Sequence, residues 1–255
     1  MSEPASLGER IATLAGGRPL REVAGLRAGY GKMEILHGID LRLAAGRSLC
    51  MIGPNGAGKS TVLHSIYGFT RITEGSIRAD GEDVTRLSPN EKLERCGIAY
   101  ILQDNSIFPD MTVEENLWMG GYLMDDRART RRAADRVFDK YARLANRRRQ
   151  PARVLSGGER RLLEISRALM MDPRLLLVDE PSIGLEPRFI DMVFEILADL
   201  QRSEGKAIVM VEQNARKGLQ FADVGYVLVA GEVAKVGTGA ELLEDPEVGR
   251  LYLGG

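Results

Sequence analysis

The stretch GPNGAGKST, from Gly53 to Thr61, constrains this chain more than any other feature. It fits G-x-x-x-x-G-K-[ST] through Gly53, Gly58, Lys59 and Ser60. The apolar run Ser48 to Ile52 reads as a short strand entering the loop, and residues 59–69 read as a helix leaving it. The glycines allow positive φ and let backbone N–H groups approach phosphate oxygens closely. Pro54, Asn55, Gly56 and Ala57 form the body of that cradle, and Thr61 follows in the first helical turn. The helix directs its positive end at the anion. Lys59 is expected to reach the β- and γ-phosphates, and Ser60 to supply a hydroxyl to Mg²⁺. The plain alternative is a glycine-rich turn, but four specified positions match by accident in about one chain in a hundred of this length. The expected ligands are a nucleoside triphosphate and Mg²⁺.

A strand–loop–helix phosphate site implies an α/β chain with a parallel sheet. The buried apolar runs Arg174 to Val178 and Lys206 to Val211 supply further strands, and residues 188–203 supply an amphipathic helix. Residues 224–236 read as a hairpin turning at Ala230–Gly231. Residues 22–50 read as several short strands with a turn at Gly29 to Gly31, and the texture from about Asn90 to Leu155 is helical. Residues 1–20 read as a polar, loosely ordered leader without a signal-peptide h-region.

Leu175 to Glu180 (LLLVDE) is an apolar strand ending in two acids, at the sheet edge where α/β folds hold ligands. Asp179 is expected to hold Mg²⁺, and Glu180 to orient and deprotonate the attacking water. One acid would suffice for an ordinary strand cap, so the pair gains meaning only beside the phosphate loop. A second glycine pair lies in LSGGE (155–159). Ser156, Gly157 and Gly158 precede a helix and form a candidate second anion site, with Glu159 at its third position; the alternative is a plain N-cap. One ATP has no use for two such sites in one chain. Two chains packed head to tail would pair the loop of one with the LSGGE of the other.

Composition narrows the partners. The chain has 255 residues, 35 Lys+Arg against 36 Asp+Glu and a formal charge of −1, which argues against binding nucleic acid through bulk phosphate contacts. Its two cysteines, Cys50 and Cys96, build no disulfide framework, and its two histidines, His37 and His64, exclude His-rich zinc chemistry. No apolar run is long enough to span a bilayer, so a soluble cytoplasmic protein, still able to bind a membrane protein, is expected. Arg127 to Arg149 carries ten Lys or Arg against Asp135 and Asp139. That stretch reads either as a solvated helical face or as a surface for anionic lipid headgroups.

With these motifs in place, residues 21–255 resemble the ATP-binding subunits of ABC transporters. The resemblance implies a P-loop NTPase with a RecA-like parallel core sheet, an antiparallel β subdomain and a helical ABC-specific subdomain at about 92–157. It implies that Tyr30 stacks on adenine, that Gln103 (in YILQDNSIFPDMTVEENL) touches Mg²⁺ and water, and that Ser156 to Glu159 is the signature motif. Within the family the chain resembles the smaller ATPase subunit of branched-chain amino acid importers, the LivF type. This rests on FPDMTVEENLWMG (108–120), LSGGERRLLEISRALM (155–170), DEPSIGLEP (179–187), VEQNAR (211–216) and DPEVGRLYLG (245–254). The implied partners are transmembrane permease subunits, a second ABC ATPase subunit in a homo- or heterodimer, and a periplasmic substrate-binding protein, and the implied location is the cytoplasmic face of the membrane, as a peripheral protein. A urea or short-amide importer and a soluble, non-transport ABC ATPase are the alternatives.

Three positions depart from the wider pattern. Gln213 stands where most of the superfamily has the γ-phosphate histidine, and it hydrogen-bonds without taking up charge near neutral pH. Glu159 stands where glutamine is common, and Glu186 where aspartate is common.

Overall fold

The computed structural model describes residues 6–16, 19–103 and 106–252. The chain opens with helix α1 (Leu7–Leu14), then a hairpin of two long strands, β1 (Pro19–Tyr30) and β2 (Met33–Ala44). Strand β3 (Ser48–Ile52) leads into the phosphate loop and helix α2 (Lys59–Tyr67). β4 (Arg71–Ala79), β5 (Glu82–Asp83), α3 (Pro89–Cys96) and β6 (Ile98–Ile101) follow. A run of helices comes next: α4 (Val113–Gly120), α5 (Arg127–Lys140), α6 (Ala142–Ala145) and α7 (Gly157–Leu169). The chain closes with β7 (Leu175–Asp179), α8 (Pro187–Arg202), β8 (Ala207–Val211), α9 (Ala215–Phe221), β9 (Val224–Val229), β10 (Glu232–Thr238), α10 (Gly239–Glu244) and α11 (Pro246–Tyr252).

Two sheets organise these elements. One has six strands in the order β10-β9-β3-β8-β7-β6, parallel except for β10 on β9. The other has four antiparallel strands in the order β2-β1-β4-β5. Every residue of β3, β7 and β8 is buried, as expected for strands covered on both faces. A separate apolar cluster, including Val113, Leu117, Val137, Phe138, Leu144, Leu162 and Met170, holds α4 to α7 together. The three-part architecture expected from the resemblance is therefore present.

Some local expectations change. The region 22–50 is occupied mainly by two long strands, β1 and β2, not several short ones; bulges such as that between Val23 and Leu26 break their alternation and make them look fragmented in sequence. Strand β6 interrupts the stretch expected to be helical from about Asn90, and it pairs in parallel with β7. Leu93 of α3 and the β6 residues Ala99 and Ile101 pack with the core sheet, so the separately packed helical cluster starts later than the expected bound at 92.

The leader is also more ordered than expected where it is described. Ser6 accepts from Glu9 N–H and Glu9 returns the bond to Ser6 N–H, a reciprocal cap that starts α1. Ile11 and Ala15 are buried, and Arg10 donates to Val236 O at 2.8 Å and pairs with Glu241 at 2.8 Å. The rest of the expected leader, residues 1–5 and 17–18, lies outside the described residues. Among the described residues no helix is long and apolar enough to cross a membrane.

Candidate active site

The phosphate loop closes the carboxyl end of β3, the central strand of the switch between β9 and β8. Gly53, Gly56 and Gly58 have φ of 146°, 81° and 94°, conformations a side chain rarely adopts. At Gly53 a Cβ would also lie 2.1 Å from Leu228 O. Gly58 is the N-cap of α2 and supplies no side-chain cap, so the first-turn N–H groups stay available to an anion. Lys59 is buried and donates to Gly53 O at 2.9 Å and Pro54 O at 3.1 Å. Burial pushes its pKa down, against the opposing pull of Glu180 and Asp179. The C-terminal hairpin braces the loop from outside: Gly231 N–H donates to Ala57 O at 3.0 Å, and Gly231 O accepts from His37 N–H at 2.9 Å.

The two carboxylates sit opposite. Asp179 ends β7, and its Oδ1 accepts from Ser60 Oγ at 3.0 Å while its Oδ2 accepts from Tyr100 OH at 2.8 Å. Ser60 and Asp179 thus offer one hydroxyl and one carboxylate at one point. No group of three His, Cys, Asp or Glu residues among the described ones could cage a metal by itself. That donor set fits Mg²⁺, which binds through one or two protein oxygens together with substrate phosphates. Glu180 has φ of 43°, left-handed and strained for a non-glycine residue, and its N–H donates to Val211 O at 2.9 Å. Gln103 Nε2 donates to Glu180 Oε2 at 3.2 Å. The structure therefore brings Lys59, Ser60, Asp179, Glu180 and Gln103 into one cluster. Gln213 is exposed, two residues past the end of β8.

The signature region is built differently. Ser156 caps α7: its Oγ accepts from Glu159 N–H at 3.3 Å, and Glu159 Oε2 accepts from Ser156 N–H at 2.9 Å. Gly158 is tightly packed, since a Cβ there would lie 2.2 Å from the Phe189 ring. Gly157 is roomier, with Leu185 at 3.7 Å, and lines a cavity of about 350 Å³ with Gln103, Arg161 and Gly184. No hydrogen bond joins Ser156 to Glu159 with the phosphate loop within this chain among the described residues.

Tyr30 ends β1, is 41% exposed, and its hydroxyl meets His64 Nδ1. His64, Tyr67, Phe69 and Tyr100 continue this ring contact toward Asp179. Burial pushes the His64 pKa down and the Tyr100 pKa up; the Asp179 charge opposes the first shift and adds to the second.

Sequence reading missed three side chains around the cluster. Tyr100 orients Asp179. Arg161 donates to Leu102 O at 2.7 Å and to Asp179 O at 3.4 Å, tying α7 to both loops. Glu212 lies buried behind Gln213. Tyr100 and Arg161 fall inside YILQ and LSGGERR, but nothing in those strings says what their side chains hold.

A P-loop ATPase built on a mixed core sheet with a helical insert is the class these features define. A family model described as "ABC transporter" matches residues 36–183. The chain is 43% identical over 226 residues to the high-affinity branched-chain amino acid transport ATP-binding protein BraG of Pseudomonas aeruginosa, covering 89% of this chain and 96% of that one. It is 33% identical over 231 residues to the lipopolysaccharide export system ATP-binding protein LptB of Haemophilus influenzae, covering 90% and 95%. Its structure is similar to the ADP conformation of MJ1267, an ATP-binding cassette of an ABC transporter, with a TM-score of 0.82, 27% identity, and coverage of 94% and 100%. The chain belongs to the ABC transporter family, as an ATP- and Mg²⁺-binding ATP hydrolase that energises transport.

Proposed function

We propose that this chain drives an importer for branched-chain amino acids. Its 43% identity to BraG over nearly the whole of both chains supports this substrate class. Membership of the family leaves lipopolysaccharide export as a second reading, favoured by the LptB similarity, and urea or short amides as a third. Loss of labelled leucine uptake on deleting the gene, restored by the wild-type chain, is the expected outcome; unchanged leucine uptake with failed lipopolysaccharide export would reverse the choice.

In this reading two ATPs are clamped between two ATPase subunits, each phosphate loop facing the Ser156 to Glu159 segment of the other chain. The partner subunit is a second copy or a sister ATPase, and a periplasmic binding protein delivers the solute. Lys59 leaves its two backbone carbonyls to meet the β- and γ-phosphates. Ser60, Asp179 and Gln103 would hold Mg²⁺, which when bound would supply positive charge against the phosphates. Tyr30 offers its ring to adenine. Glu180 aligns the attacking water and takes its proton, steadied by Gln103, while Gln213 hydrogen-bonds the γ-phosphate from the other side.

The helical domain built around α4 to α7, together with Gln103, serves the permease. The support is a groove of about 360 Å³ whose lining includes Tyr67, Tyr100, Phe108, Met119 and Tyr122. Phe108, Met119 and Tyr122 are all substantially exposed there, an apolar patch suited to a partner protein. Most Lys and Arg of the stretch 127–149 are exposed, as a solvated face requires. Little pelleting of the isolated chain with anionic vesicles is expected, and robust pelleting would overturn that part.

A further inference from the structure

Resting on the reading of Glu180 and Gln213 above, we propose that Glu212 is a positioning residue that clamps the loop after Glu180 to the loop carrying Gln213, so that the two sides of the γ-phosphate site keep one spacing.

Strands β7 and β8 run side by side and end together, with Asp179 opposite Val211. Beyond that point the chain leaves the sheet twice, through Glu180–Pro181–Ser182 and through Glu212–Gln213–Asn214. Glu212 joins the two exits. Its Oε1 accepts from Ser182 Oγ at 2.7 Å and from Asn214 N–H at 2.8 Å. Its own N–H donates to Met51 O at 3.3 Å, on the strand that feeds the phosphate loop. One carboxyl oxygen therefore holds a point two residues after Glu180 and a point one residue after Gln213.

Glu212 is 1% exposed, and its Oε2 is buried without a hydrogen-bond partner. An unpaired buried carboxyl oxygen is costly. An apolar side chain would fill the space without that cost but could not hold the two loops. Burial pushes this carboxyl's pKa up, while the N–H of Asn214 and the hydroxyl of Ser182 pull it down. Glu180 itself is held at φ 43°, a conformation that persists only where neighbours impose it. Ser182, 8% exposed, is the next side chain after Glu180–Pro181 with such a bond.

Glu212 touches no substrate in this arrangement, so its loss should lower kcat and spare ATP affinity. The test measures Mg²⁺-ATP hydrolysis, KM and thermal midpoint in the full chain. E212A is expected to lose about 10–100-fold in kcat with KM changed by less than about threefold, the scale of a misplaced catalytic group. E212Q keeps an oxygen at the Oε1 position and should restore kcat to within about threefold of wild type. S182A removes one leg and should fall between them. Wild-type kcat in folded E212A, or equal impairment of E212Q and E212A, overturns the proposal. If E212A does not fold, S182A decides alone: wild-type kcat in S182A overturns the clamp, and reduced kcat with unchanged KM supports it. E180Q run in parallel separates the two levels. Normal turnover in E180Q would remove the underlying site reading, whereas a stalled E180Q beside an unaffected E212A would remove only the clamp.

Discussion

Two helix N-termini in this molecule carry glycine-rich entrances, and they are finished in opposite ways. At α2 the N-cap is Gly58, left-handed and without a side chain, so the first-turn donors are offered to a ligand. At α7 the N-cap is Ser156, and Ser156 and Glu159 satisfy each other's N–H groups. The first end is incomplete without phosphate. The second is stable alone and retains only the Ser156 hydroxyl proton and the early glycine N–H groups for a visitor. An incomplete end suits a resident nucleotide, whereas a self-capped end suits an occasional partner that must also leave.

The contrast is open to attack at several points. The largest effect should come from E180Q, with ATP still bound and phosphate release slowed about 10²–10⁴-fold; wild-type release would break the assignment of the α2 side as the catalytic one. G53A places a Cβ against Leu228 O, and strain of about 1–3 kcal/mol corresponds to a loss of about 5–150-fold in the isolated chain's ATP affinity. A fluorescent ATP analogue would read that loss. G157A has room for its Cβ, so monomer ATP affinity and thermal midpoint should stay unchanged. ATP-driven dimerisation should weaken about tenfold, equivalent to one partner hydrogen bond. Sizing chromatography with light scattering checks it, and equal dimerisation would erase the distinction between the two ends.

The far end of α2 supplies a smaller effect. Lys92 is fully buried and donates to Ile66 O at 2.8 Å, meeting the helix's last carbonyls. Burial pushes its pKa down from 10.5 to about 8. Between those values the unfolded chain holds a proton the folded chain has released, so this group's contribution raises stability as pH climbs from about 8 toward 10.5. Thermal melts at pH 7.5 and 9.5 should show that gain in wild type and not in K92M. K92M should itself cost about 1–3 kcal/mol through the unpaired carbonyl. The smallest effect belongs to E159Q. Glutamine still reaches Ser156 N–H, so hydrolysis should stay within about threefold; a larger change would mean that the Glu159 charge governs the α7 end.

Legibility in the sequence followed how local each feature is. The phosphate loop, the Asp179–Glu180 pair and strands β3, β7 and β8 are contiguous strings, and they stand in the structure where reading placed them. The Ala230–Gly231 hairpin was equally readable, with φ of 49° and 79° at its turn. Strand β6 was not, because four residues between a charged helix and a polar loop carry no period of their own. The α1 start was written in Ser6 and Glu9 but hidden by the polar texture around it. Tyr100, Arg161 and Glu212 owe their roles to contacts between chain segments distant in sequence, which no string records.

The contact between Gly231 and Ala57 reaches beyond the hairpin itself. A Cβ at Gly231 would lie 1.9 Å from Ile35 O, and the same residue's N–H supports the phosphate loop. A random-mutagenesis screen for lost transport should therefore return Gly231 variants alongside Lys59 variants, although Gly231 lies near the end of the chain and belongs to none of the nucleotide motifs. Inherited or selected changes at that turn should be scored as active-site lesions, whatever their distance along the gene.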